Sequence, residues 1–416
     1  MLLKQRLDRQ LRIEGWDQRA LAEAKIGIVG DDDPLGSLYV MSASALGVNN
    51  IIVIAPRLDG KLCEMALKIN PALNMVYVEG YYTHPVLDDV FVGCDVIVDV
   101  SNYALANKLL LEKGFREGVP IVRGFCYERD GEQGVKSFTY MRGREWQECE
   151  EILSPENLPL DHFDDGVLDI IAAGIALDET KNILMGRDVS EEVIQYRRKS
   201  VRSAAFDPAI GVIGAGALGN FVGLALGYTG FRRMTFIDPD VVEITNLNRQ
   251  VFVYDAIGLS KAEILAERLN DFFDIEAQGR VASFTKATDI SRYDVIFDCT
   301  DNFEARIAIS DKCKEASKVL ISGGTGADAG QVVVYQPEAG GATPAEMLGL
   351  YDIVAKRQID TSVGGRAACV EQPDPSVIMV NQIIAGFMVD SYRRLLDGQE
   401  APNTFYDSTS DMRIVV

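Results

Sequence analysis

AIGVIGAGALG, residues 209–219, reads as an apolar strand entering a glycine-rich turn that opens a helix, and AKIGIVGDDDPLG, residues 24–36, repeats it with Asp31, Asp32 and Asp33 in the turn. In the first run, Gly214, Gly216 and Gly219 let backbone N–H groups approach a phosphate. In the second, three carboxylates would repel one. A helix N-terminus keeps its positive partial charge, so these aspartates can cap it from within, each contributing roughly 0.3–1 kcal/mol. They are expected to stand in for the phosphate.

Working outward, the repeat continues. CDVIVDVSN at 94–102 matches YDVIFDCTDN at 293–302, and GVLDIIAAGIALDETKNILMG at 166–186 matches PSVIMVNQIIAGFMVDSYRRLLDG at 375–398, at a nearly constant offset. Within each half, short β-branched runs alternate with longer amphipathic segments, the signature of a mostly parallel sheet covered by helices. Two α/β domains follow, 1–200 and 201–416, related by a pseudo-twofold as duplicated units are by default. The seam is expected in QYRRKSVRSAAFDP, residues 195–208, a basic and then turn-rich stretch.

Length and composition agree, since 416 residues suffice for two domains with separate cores. A net charge of -21 argues against nonspecific nucleic-acid or anionic-membrane binding. The seven cysteines form no C-x-x-C pair, so they read as reduced thiols in a cytoplasmic protein, and no structural zinc is expected. The N-terminus is too charged for a secretory signal, and no apolar run is long enough to span a membrane.

The second half carries the chemistry. Asp238, at the end of the strand after the glycine turn, suits a ribose hydroxyl for either a dinucleotide or ATP. Asn246, Arg249, Gln250 and Lys261 follow. Two cations beyond the ribose acid favour a triphosphate over a pyrophosphate, which helix amides alone can largely hold. Asp301 ends another strand, where its carboxylate could hold Mg²⁺ or cap the next helix.

GAGALG, FIDPDVVEITNLNRQ, the lysine of GLSKAE, DCTDN and GGTGADAGQVVVY together resemble the E1-like adenylating enzymes, the family of ThiF, MoeB and the adenylation halves of ubiquitin-activating enzymes. The resemblance implies two Rossmann-like ThiF-type domains and a reaction in which a carboxylate attacks the α-phosphate of ATP, releasing pyrophosphate. It assigns Asp238 to the ribose, Arg249 and Lys261 to the phosphates, Asp301 to Mg²⁺, and Asn246 and Gln250 to polar support.

The first half departs at each checkpoint: Ala55 stands for Asp238, Asn102 stands for Asp301, and no segment matches NLNRQ. No ATP is expected there. It keeps RLDRQLRIEGWDQ, residues 6–18, and the resemblance implies that Arg9 crosses to the triphosphate of the other half; the alternative is an exposed arginine in a charged arm.

Residues 338–375 read as a long, structure-poor crossover loop. In the family this region covers the substrate's tail, and a cysteine at the place of Cys369 sometimes accepts the acyl group; a plain packing thiol is the commoner role. His84 and His162 suit ordinary surface or core roles.

Three functions remain in order of preference. The first is adenylation of the C-terminus of a ubiquitin-like or sulfur-carrier protein. The second is adenylation of a peptide or small-molecule carboxylate, and the third a nucleotide-binding scaffold. Two such chains can associate further.

Overall fold

The computed structural model describes residues 5–141, 163–201, 207–363 and 375–416, with side chains for all of these except 357–363. The first sheet contains β1 (Lys25–Val29), β2 (Asn50–Ala55), β3 (Asn74–Glu79), β4 (Val96–Asp99), β5 (Ile121–Arg129), β6 (Glu132–Tyr140) and β7 (Ile194–Lys199), in the order β3-β2-β1-β4-β5-β6-β7. The second contains β8 (Ala209–Ile213), β9 (Arg233–Ile237), β10 (Glu276–Arg280), β11 (Val295–Asp298), β12 (Val319–Thr325), β13 (Ala329–Tyr335), β14 (Thr404–Asp407) and β15 (Ile414–Val415), in the order β10-β9-β8-β11-β12-β13-β14-β15. In both, five parallel strands lead into antiparallel ones. Both β1 and β8 are buried and apolar, as strands covered on two faces must be.

Helices Gly166–Leu184 and Ile378–Leu396 are buried along most of their length, and with Pro34–Leu46 and Ala217–Tyr228 they form the layer between the sheets. Helices that are apolar all round belong in such a place. Their contacts are reciprocal. A Cβ on Gly174 would come within 3.0 Å of Ile383, and one on Gly386 within 3.0 Å of Ile171. Likewise the Tyr196 hydroxyl donates to Asp390 at 2.7 Å, and the Tyr406 hydroxyl donates to Asp178 at 2.7 Å. Residue i touching j while the counterpart of j touches the counterpart of i is the mark of a twofold interface, so the expected pseudo-twofold is present.

One expectation gains detail and another needs correction. The seam stretch begins as β7, whose Ile194, Tyr196 and Arg198 face inward. The inward arginine hides the strand pattern; it is buried because its guanidinium pairs with Asp390 at 2.7 Å and Asp165 at 3.0 Å. The crossover stretch, in its described part up to Val363, is helical where a structure-poor loop was expected, with helices Pro344–Met347 and Leu350–Val363. Thr343 and Glu346 form a reciprocal capping box, and Lys314 pairs with Glu346 at 2.6 Å, which seats the first of these against helix Phe303–Glu315.

Candidate nucleotide-binding site

The glycine turn after β8 is built without room for side chains. Gly214 has φ +100°, and a Cβ there would lie 2.7 Å from the carbonyl oxygen of Cys299; one on Gly219 would run into the Gly214 carbonyl. Gly216 is the N-cap of helix Ala217–Tyr228 and supplies no side-chain cap, so that helix start is not closed by a side chain of its own turn. Asp238 is buried beside the turn. Its two oxygens accept from Ala215 N at 2.7 Å and Asp240 N at 2.8 Å, and burial nevertheless pushes its carboxyl up. Each oxygen retains lone-pair capacity for a further donor.

Residues 239–259 then fold over the turn. Asn246 Oδ1 accepts from Glu243 N at 2.8 Å and closes a 3-10 turn. Gln250 is buried beside Gly216, and its Oε1 has no hydrogen-bond partner. Arg249 is buried with its NH1 donating to Thr245 O and Asn248 Oδ1, both at 2.7 Å, and it makes no ion pair among the described residues. Burial and the neighbouring Arg9 push its guanidinium down to about 10, while Asp301 and Glu243 oppose that shift.

Arg9 therefore reaches this site. Burial lowers its pKa, Arg12 lowers it further, and Glu243 and Asp301 raise it. The arm is anchored by Gln10, whose Oε1 accepts from Asn248 Nδ2 at 2.9 Å while its Nε2 donates to Leu46 O at 2.8 Å. Lys261, first residue of helix Lys261–Phe272, donates to Asp240 at 2.9 Å. Asp301 is exposed, and the cap of helix Phe303–Glu315 comes from Asn302, which accepts from Ala305 N at 2.9 Å. Asp301 is thus left out of the cap.

A buried cation without an ion pair among the described residues and an uncapped helix start suit nucleotide phosphates, and an orphaned buried amide oxygen suits a donor elsewhere on the nucleotide. Among the described residues no three His, Cys, Asp or Glu side chains gather to hold a metal. A single carboxylate, completed by phosphate oxygens and water, is how Mg²⁺ is commonly held beside nucleotides, and Asp301 suits that.

Several supporting residues escaped sequence reasoning. Asn220 donates to the carbonyls of Ala215 and Gly216 and accepts from Phe252 N, pinning the turn to the segment above it. Asn248 joins the arm to Arg249. Asp298, buried at the end of β11, accepts from Ser322 at 2.7 Å and Thr300 Oγ1 at 2.7 Å and faces Arg306 at 3.4 Å. An acid one turn before DN was a readable signal for this network.

Burial pushes Cys63 and Cys94 up to about 11, Cys313 up to about 12, and Cys126 and Cys299 well above the usual thiol range. None of these five suits a nucleophile. Cys369, His162 and the residues beside them lie outside the described residues; His84 caps a short 3-10 turn. Among the described residues no helix is long and apolar enough to cross a membrane.

The ThiF family model matches residues 195–412. A probable molybdopterin-synthase adenylyltransferase of Porphyra purpurea is 35% identical over 133 residues, covering 31% of this chain and 35% of that protein. The molybdopterin-synthase adenylyltransferase of Haemophilus influenzae is 30% identical over 174 residues, covering 39% of this chain and 72% of that protein. A crystal structure of E. coli MccB with AMPCPP and MccA aligns at a TM-score of 0.41 and 19% identity, covering 50% of this chain and 63% of that one. The match thus spans about a third of the first of these relatives. Matched by its family model over more than half of its length, and by a relative most of whose sequence it covers, the chain belongs to the ThiF family.

Proposed function

We propose that the protein transfers AMP from ATP to a carboxylate, with residues 201–416 as the adenylating domain and 1–200 as an inactive domain that lends Arg9. The carboxylate is the C-terminus of a small sulfur-carrier or ubiquitin-like protein, in keeping with the molybdopterin-synthase adenylyltransferases among its relatives. The observation that carries this reading is the seating of the Arg9 arm against the Arg249 segment, with Asn248 hydrogen-bonded both to Gln10 and to Arg249.

In the reaction, a carboxylate oxygen bonds to the α-phosphorus, the bond from that phosphorus to the bridging oxygen breaks, and pyrophosphate leaves with the electron pair. No proton or nucleophile need come from the protein, so positioning and charge dominate. Gly214, Gly216 and Gly219 admit the phosphates to the helix N-terminus, Asp238 accepts from the ribose hydroxyls, and Arg9, Arg249 and Lys261 offset phosphate charge. Asn246 and Gln250 shape the polar wall, with Gln250 Oε1 free to accept a ligand donor. Mg²⁺ at Asp301 would add positive charge beside the leaving pyrophosphate. Cys369 is the proposed acceptor if a thioester follows.

Pyrophosphate exchange tests the reading. Exchange dependent on a Gly-Gly-ended carrier supports it, exchange with a peptide or small carboxylic acid moves the substrate class, and ATP binding without exchange on any carboxylate makes the protein a scaffold.

A further inference from the structure

The first half has no counterpart of residues 239–259: only residues 56–58 separate Ala55 from Asp59, the N-cap of helix Gly60–Ile69. A cavity of about 1170 Å³ lies there, between the two halves. Its polar wall includes Asp33, which is 3% exposed and whose Oδ2 has no hydrogen-bond partner. Asp169, 1% exposed, lies outside the cavity lining but close enough to Asp33 that burial and that neighbour push its carboxyl up, and its Oδ2 is also unpartnered. The hydroxyl of Tyr228, which also lines the cavity, is a third buried group without a partner. Buried polar atoms left unpaired are costly and point to something that pairs them.

The charge of that something follows from the surroundings. The three cations on the wall are already engaged: Arg57 with Asp32 O, Arg393 with Asp165, and Lys61 with the carbonyls of Asp271 and Phe272. The aromatic wall, Tyr228, Phe231, Phe272 and Phe273, already holds one ammonium, since Lys61 Nζ sits 5.3 Å from the Phe272 ring centre. Ring faces attract organic cations, and carboxylates at the floor complete such a site.

We propose that this cavity binds a primary ammonium group on an aliphatic stem, with Asp33 receiving the charge and Tyr228 and Phe272 the stem. The group comes from a free polyamine or from a basic side chain of a peptide. Site and ligand are separate from ATP, so the test stands whether or not adenylation is the function. Burial, with Asp31, Asp164 and Asp32 beside it, holds the Asp33 carboxyl up to about 8; capture of an ammonium at pH 7 therefore releases a proton.

Isothermal titration of the full chain with spermidine and with Nα-acetyl-lysine amide, in two buffers of different ionisation enthalpy, reads both affinity and proton release. Expected are saturable binding of at least one probe with proton release, at least tenfold weakening in Asp33→Asn, and severalfold weakening in Tyr228→Phe, which removes only the orphaned hydroxyl. Binding of spermidine alone identifies a free amine as the source, and binding of the lysine amide a side chain. No binding of either probe at millimolar concentration, undiminished binding in both variants, or Asp33-dependent binding of Mn²⁺ without the amines overturns the proposal.

Discussion

At the end of β1 the chain caps its own helix, and at the end of β8 it leaves the helix open. Asp33 Oδ1 accepts from Leu35 N at 3.1 Å, and Asp31 Oδ2 accepts from Asn102 N at 2.6 Å, so an internal carboxylate bridges the two strand ends that flank the first-half turn. In the second half the corresponding ends carry Gly216 and Asp301, with no such bridge. Beneath both turns lies a buried strand-end acid with an arginine, but the arginine has changed seats. Asp99 pairs at 2.7 Å with Arg123 on its register neighbour β5 and accepts from Asn107 on the next helix at 2.9 Å; Asp298 faces Ser322 on β12 and Arg306 on the next helix. What the halves share holds the fold, and what separates them is ionic chemistry at the sheet edge.

The largest expected break in that comparison is kinetic. Lys261→Ala or Arg249→Ala should lower pyrophosphate exchange about a hundredfold or more, whereas Arg57→Ala in the first half should leave it unchanged; a loss of similar size from both halves would mean that the asymmetry is misread. Next comes the twofold seam. Gly386→Ala, pressed against Ile171, should cost about 1–3 kcal/mol, seen as a lower thermal midpoint, with Gly174→Ala behaving alike, while Gly341→Ala, with open space around it, serves as the neutral control.

Arg9→Ala should reduce exchange roughly tenfold, the worth of a charge-assisted contact, and Gln10→Ala should follow it in part by releasing the arm. Full activity in Arg9→Ala removes the first half from the reaction. The remaining effect is on pH. The folded pKa of Asp33 rises from 3.8 to about 8, so the folded state binds the extra proton and stability falls as pH rises through that window. Asp33→Asn keeps a capping side chain and should flatten the decline in thermal midpoint between pH 5 and 8, readings set about the shifted pKa; an unchanged slope assigns it to other groups.

Much of this was legible in the residues. Glycines at Gly214, Gly216 and Gly219, acids at Asp238 and Asp301, and the aspartates of the first turn all follow from local backbone geometry, which a few neighbours decide. Less legible were Arg198 inside a strand and the helix Leu350–Val363, because a buried ion pair reverses the usual polarity of an inward position and flanking glycines mask a short helical period. The choice of Asn302 over Asp301 as the helix cap turned on one residue of phase.

By itself the sequence determined two repeated α/β units, one with phosphate-compatible turns and cations and one without, since strand, turn and helix spacing are short-range properties of the chain. Only the tertiary structure decided what those units do to each other. Gln10 meets Asn248 across 238 positions, Asp33 keeps a buried unpaired oxygen on a cavity wall, and the missing segment of the first half becomes that cavity, because packing between distant elements sets which charges share a buried space.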